Sequence, residues 1–316
     1  MLTVSKSSIV YILCPAAVKT GGPHALYQLC NELRKLGRTA YLVFVDHRKF
    51  VMAGATITGN LSSLIVTEEV TPAFPRYDAP QETCIVDIED NVVIVPEVYP
   101  EFLLEFKFVQ KVIWWLATWM GQSMLARLTD LQVTHLCQSR AASAFLTARG
   151  VKESFPLIDY VYLHPHAAAR TASVAFNPAK GSVLTNLIRD ALPATQFISI
   201  EKMTEEGVAK ALRSCRVYID FGHHPGRDRI PREAALAGCC ILVAKAGTAE
   251  FFEDMPIPSR FKMSLQNFSP SVAADIIGDL IANYDSRCME FEMYRRAVAA
   301  DYDIFKSQAT ILFGCG

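Results

Sequence analysis

Short runs of apolar, often β-branched residues alternate along this chain with longer stretches whose apolar positions recur at helical spacing. In the first half, Ile9–Cys14, Thr39–Val45, Val92–Val95, Lys111–Trp115 and Thr134–Gln138 predict strands, and His24–Leu36 and Ala141–Ala148 predict helices between them. The second half repeats the scheme. Strands Ser173–Phe176, Gln196–Ile200, Arg216–Asp220 and Cys240–Ala244 alternate with helices Ser182–Leu192, Thr204–Leu212, one from Pro231, and Ser271–Ala282. Such alternation belongs to the α/β class, with parallel sheets covered by helices. A polar, proline-containing passage at His164–Thr171 places a domain boundary there, giving domains of residues 1–165 and 166–285. The tail, Ser286 to Phe313, reads as one long helix.

A length of 316 residues suffices for two such domains. The net charge of −1 exerts no global pull on nucleic acid or acidic lipid, so any anion site must be local. The nine cysteines are odd in number, scattered and without a CxxC pair, which suggests neither zinc nor a disulfide framework but small buried hydrophobes in a reducing compartment. The apolar runs Ile9–Cys14 and Val112–Met120 are too short to cross a bilayer, and no signal peptide is apparent. A cytoplasmic protein is expected, with contact at the inner membrane face left open. Trp114, Trp115 and Trp119 read first as core, and otherwise as a seat for a lipid-linked acceptor.

Candidate chemistry begins at Thr20-Gly21-Gly22-Pro23-His24, between the first strand and the first helix. Glycines there let backbone N–H groups approach a ligand, and the helix behind them favours negative charge. His24 could serve as a general base or sugar contact, or equally as a helix cap or solvent-facing group. The richest stretch runs from Asp220 through Phe221-Gly222-His223-His224-Pro225-Gly226-Arg227-Asp228-Arg229 to Glu233, following a strand and opening a helix. Arginine forks bind phosphate bidentately, so Arg227, Arg229 and His223 are candidate diphosphate ligands. Glu233 either complements the helix dipole or accepts hydrogen bonds from ribose hydroxyls. Asp228, between two arginines, reads as an orienting ion pair or a sugar contact, and Asp220 as a candidate catalytic carboxylate. Lys180, in the turn Asn177-Pro178-Ala179-Lys180-Gly181, would be a second cation on the same sheet edge, with Gly247 and Thr248 in a further turn beside it.

The order TGGPHALYQLCNELRKLG, NVVIVPEVYP, THLCQSRAASAFLTARGV, NPAKG and PREAALAGC resembles the group 1 GT-B glycosyltransferases, retaining and family 4-like. The resemblance implies two Rossmann-like domains, with the segment 286–316 crossing back onto the first. It further implies a nucleoside-diphosphate sugar donor, glycines facing donor phosphates and acceptor, Lys180 and a nearby arginine on the diphosphate, and Glu233 on the ribose. A glycan or lipid-linked acceptor and a place in surface polysaccharide synthesis would follow. The family's earlier Glu has no counterpart: Asp220 precedes Phe221-Gly222, and the turn after it is longer and arginine-rich.

The chemistry so implied is displacement at an anomeric carbon, with the departing diphosphate stabilised by Lys180, Arg227, Arg229 and a helix N-terminus. A metal-dependent route would need an Asp-x-Asp pair on a loop after a strand. Asp301-Tyr302-Asp303 falls in a predicted helix, and Asp87-Ile88-Glu89-Asp90 precedes a strand; both read as solvated acids. No metal and no cofactor are therefore expected. The rival readings are a nucleotide-sugar epimerase, with Glu97 and Glu250 as faint acid/base candidates, and a catalytically silent subunit that binds nucleotide-sugar or a partner enzyme.

Overall fold

The computed structural model describes residues 2–46, 48–49, 61–118, 128 and 131–314. Trp119 lies outside the described residues. Two compact units emerge, Met1–Asp159 with Asp303–Gly316, and Tyr160–Tyr302.

The first unit is built on strands β1 (Ile9–Pro15), β2 (Thr39–Val45), β3 (Val92–Pro96), β4 (Gln110–Trp115), β5 (Val133–Cys137) and β6 (Phe155–Pro156). Helices α1 (Gly21–Lys35) and α2 (Arg140–Thr147) follow β1 and β5. The sheet order is β2-β1-β3-β4-β5-β6, and every pairing is parallel. The inner strands are almost wholly buried, which is why they read as continuous apolar runs instead of alternating ones. Trp114 and Trp115 belong to this core: their indole N–H groups donate to the Leu157 carbonyl at 2.8 Å and to His135 Nδ1 at 3.1 Å.

The second unit holds β7 (Thr171–Phe176), α3 (Ser182–Ala191), β8 (Gln196–Ser199), α4 (Glu205–Ser214), β9 (Cys215–Asp220), α5 (Arg229–Ala237), β10 (Cys240–Ala244), β11 (Lys262–Met263) and α6 (Pro270–Ala282). Its sheet is again all parallel, in the order β11-β10-β9-β7-β8. Val174, Val217, Ile219 and Leu242 form its centre with Ile277 and Leu280 of α6.

The predicted single tail helix is not observed. Instead α7 (Tyr284–Arg287), a 3-10 turn (Cys288–Phe291), α8 (Glu292–Ala299) and α9 (Asp301–Phe313) succeed one another. The turn drops Phe291 onto Phe261, ring centroids 4.9 Å apart, and the break at Ala300 leaves the buried Asp301 at the start of α9. Tertiary burial outweighs helical periodicity here. The helix predicted from Pro231 starts two residues earlier, at Arg229.

Each sheet has one place where the chain reverses its direction of growth, between β1 and β3 in the first and between β7 and β9 in the second. Loops leave such neighbouring strands toward opposite faces, so a crevice opens at their carboxyl ends.

Candidate functional site

At the crevice of the second unit, three loops converge. Gly181, at φ +62°, ends the loop after β7; a side chain there would lie 2.5 Å from the Phe221 carbonyl carbon. A Cβ on Gly222 would likewise meet that of Lys180 at 2.5 Å, so these two glycines let the loops after β7 and β9 touch. Gly247, also at φ +62°, packs the loop after β10 against the His224 carbonyl, which accepts from Thr248 N at 2.8 Å. The Thr248 hydroxyl donates to the Gly226 carbonyl at 3.0 Å and is buried, so it braces the loop from behind.

Inside this frame Lys180 Nζ forms an ion pair with Asp228 Oδ2 and donates to the His223 carbonyl at 3.2 Å. His224, fully buried, donates from Nδ1 to the same Asp228 oxygen at 2.7 Å. Burial alone would raise the Asp228 pKa, but the His224 hydrogen bond and the Lys180 charge outweigh it and hold the carboxyl below its ordinary value. Asp220 behaves oppositely: burial raises its pKa despite His224, the Gly222 N–H and Lys180. Its oxygens accept from Tyr218 OH and Gly222 N, each at 3.0 Å, so it anchors the floor of the crevice.

Asp228 therefore pairs with Lys180 and His224, not with the flanking arginines. Arg227 is turned inward: its NH2 donates to both oxygens of Asp301 at 2.8 and 3.1 Å, and its side chain is only 8% exposed. Arg232 lies 3.4 Å from the same carboxylate and donates to the Arg227 carbonyl at 2.6 Å. Asp301, expected to be solvated, is a buried clamp, because two guanidinium groups carried into the interior require an anionic partner. Arg229 donates to Glu233 Oε1 at 2.8 Å and lies 3.8 Å from Glu205. Among the basic side chains of the loops after β7 and β9, Lys180 and Arg229 thus keep partial exposure, and His223 is exposed beside them. Glu233 itself is buried in the first turns of α5.

Among the described residues, Asp220, His224 and Asp228 place one ligand-type atom each within 4.8 Å of one another. His224 Nδ1 already donates to Asp228, and an ammonium occupies the same oxygen. A cation bound there would have to displace both, so the cluster reads as a hydrogen-bonded charge network.

The crevice of the first unit is bordered by Gly21 and Gly22 in the opening turn of α1 and by Glu97 directly after β3. His24 neither caps a helix nor faces solvent. It is buried, stacked on Phe74 at 4.5 Å, and its Nε2 lies 2.8 Å from both Arg76 NH2 and Tyr77 OH. Its nearer lone pair is taken, which leaves little for a base. Glu97, buried to 4% exposure, accepts from Leu116 N at 3.0 Å.

The sequence assigns no separate role to His224 or Arg232, and Asp301 reads there as a solvated acid. Nothing local in the sequence signals the contact of His224 with Asp228, which lie in an irregular loop, or the pairing of Asp301, some seventy residues downstream, with the arginine loop.

No protein-family model matches the chain, and no curated protein does. Solved structures do. A variant of S. aureus TarM in complex with fondaparinux, α-GlcNAc-glycerol and UDP matches at TM-score 0.57 and 15% identity over 72% of this chain. The chain spans 56% of the TarM chain. Sucrose-phosphate synthase from Thermosynechococcus elongatus matches at TM-score 0.64 and 11% identity, covering 96% of this chain and 98% of that one. Anabaena HepE in complex with UDP-glucose matches at 0.60 and 11%, covering 96% and 99%. The chain has the GT-B fold of these glycosyltransferases.

Proposed function

We propose that the protein is a glycosyltransferase that moves a sugar from a nucleoside-diphosphate donor to a hydroxyl of a glycan or lipid-linked acceptor, without a metal. The observation that carries this reading is Lys180 facing the loop after β9 at the switch point of the second sheet. Two helices open there, α3 after Gly181, which offers no side-chain cap, and α5 after Asp228, whose carboxylate is turned away from its N-terminus. Uncapped N–H groups and helix dipoles favour an anion.

In this reading the diphosphate takes Lys180 from Asp228 and sits against the α3 N-terminus, with Arg229 and His223 beside it. Glu233 receives the ribose hydroxyls and Asp228 faces the transferred sugar. As the acceptor oxygen bonds to the anomeric carbon, the bond to the diphosphate oxygen breaks, its electron pair leaves on phosphate and the acceptor hydroxyl's proton passes to the departing diphosphate. Fixed cations stabilise that charge more in the transition state than in the ground state. The nucleotides in the TarM and HepE structures, UDP and UDP-glucose, make uridine nucleotides the first to test.

Thermal unfolding with EDTA present, against UDP, GDP, ADP and their sugars, tests the donor site. At about a hundred times Kd a ligand adds roughly 2.7 kcal/mol of stability. A shift with one base that disappears in Lys180→Ala supports the reading. No shift with any nucleotide in folded protein overturns it and favours a transferase-like subunit without a donor site.

A further inference from the structure

Of the described ionisable groups at the carboxyl edge of the first sheet, Glu97 stands directly at the reversal point, on the first residue after β3. Its surroundings are unusual for a carboxylate so deeply buried. Oε2 accepts from Leu116 N at 3.0 Å, and the N–H groups of Glu97 itself and Ala117 also turn toward it. Among the described residues no charged side chain enters its electrostatic environment. Leu116 in turn borders the opening of α1: a Cβ on Gly22 would meet its Cδ1 at 3.8 Å. The carboxylate is thus fixed between the ends of β3 and β4, next to the glycine turn. An ionised carboxylate offers about four acceptor positions, and among the described residues the backbone N–H groups turned toward it do not fill them.

We infer that Glu97 is a substrate-contacting residue of the first unit, accepting a hydrogen bond from the hydroxyl of an uncharged, polyhydroxylated acceptor such as a monosaccharide glycoside. The inference rests on the glycosyl-transfer reading for its biological meaning, but the contact it assigns is separate from the donor site. A phosphate would be repelled by this carboxylate, whereas a neutral sugar hydroxyl replaces the water that an ionised oxygen otherwise requires. Burial, opposed by the three N–H groups, pushes the Glu97 pKa up to about 7. The residue therefore changes from a hydrogen-bond acceptor to a donor within the physiological range, and sugar affinity should fall as the pH drops through it.

The glutamine variant separates this role from a structural one. Glu97→Gln keeps one oxygen for Leu116 N–H but replaces the other by an NH2 group, which cannot accept from a hydroxyl. Saturation-transfer NMR with a panel of 4-nitrophenyl monosaccharide glycosides, at pH 8 and pH 6 with UDP present, reads the contact directly. The result expected is binding of at least one glycoside to wild type at pH 8, weakened about tenfold at pH 6 and at either pH in E97Q, with E97Q folded by circular dichroism. Equal binding by E97Q and wild type at both pH values overturns the inference, as does failure of every glycoside to bind wild type. Thermal shift with nucleotides in the same samples reports the donor site independently. A missing shift there condemns the donor reading and leaves the Glu97 contact standing or falling on its own signal.

Discussion

Lys180 and Asp228 face each other as an ion pair across the crevice between β7 and β9, and the buried His224 holds Asp228 from behind. The pair keeps a cation in place for a diphosphate, yet it sets a negative charge beside the same ligand. The two variants of the pair should therefore act in opposite directions.

Asp228→Asn keeps an oxygen for the His224 N–H while removing the charge. Binding of the preferred nucleoside diphosphate should tighten several-fold, about 1 kcal/mol for a pair roughly a quarter exposed, while transfer slows because the sugar loses its carboxylate. Lys180→Ala should weaken binding by ~10–100-fold, the loss of a charge-assisted hydrogen bond. Isothermal titration at two salt concentrations measures both. Weaker nucleotide binding by D228N would show that Asp228 positions Lys180 and does not merely share it.

The Arg227–Asp301 pair makes a different demand. Asp301→Ala leaves two buried guanidinium groups without their shared anion, which costs about 3–5 kcal/mol and should lower Tm by roughly 10 °C. Arg227→Ala should also destabilise, yet change nucleotide affinity by less than about threefold, because its guanidinium is held inward. Thermal unfolding and titration of both variants decide the matter. A large loss of affinity in Arg227→Ala at unchanged stability would return that residue to the phosphate site.

The fold was legible because parallel strands buried on both faces read as apolar runs, and the helices between them carry a clear period. Val92–Pro96 and Cys240–Ala244 were found to within a residue for that reason. The position of the candidate site was legible too, since Lys180-Gly181 and the Asp220–Glu233 stretch both follow strands. The use of each charge was not. Whether Arg227 meets a phosphate or Asp301 depends on where the chain breaks at Ala300, and local propensity does not mark that break, since alanine favours helix. Likewise His24 gave no sign that Phe74, Arg76 and Tyr77 would enclose it.

The glycines divide by the same logic. Gly247→Ala forces a side chain into the left-handed region and onto the His224 carbonyl, so the loop after β10 must move away. A loss of ~2–4 kcal/mol is expected, with nucleotide binding lost as well, since that carbonyl anchors the loop that carries Asp228. Gly22→Ala meets only ordinary van der Waals contact and lies inside α1, so it should be neutral or stabilising by up to about 1 kcal/mol. Urea unfolding compares the two. A destabilised Gly22→Ala would mean that the turn needs glycine for a reason other than space.

Glu97 supplies a pH dependence whose sign is fixed. Its carboxyl titrates near 7 in the folded protein against an ordinary value of 4.5. Below about pH 4.5 both folded and unfolded chains carry the proton, and the group has no effect on their balance. Between 4.5 and 7 the folded chain alone retains it, so stability falls as pH rises; above 7 the full penalty of a buried charge is present. A difference of this size is worth on the order of 3 kcal/mol at most. E97Q cannot ionise and escapes that penalty. Its Tm relative to wild type should therefore be several degrees higher at pH 8 than the same comparison at pH 5, whatever the amide costs in packing. Differential scanning calorimetry at the two pH values gives this double difference directly. A value of zero would mean that Glu97 ionises as an ordinary carboxylate, and its burial would then have to be offset by donors beyond the backbone N–H groups turned toward it.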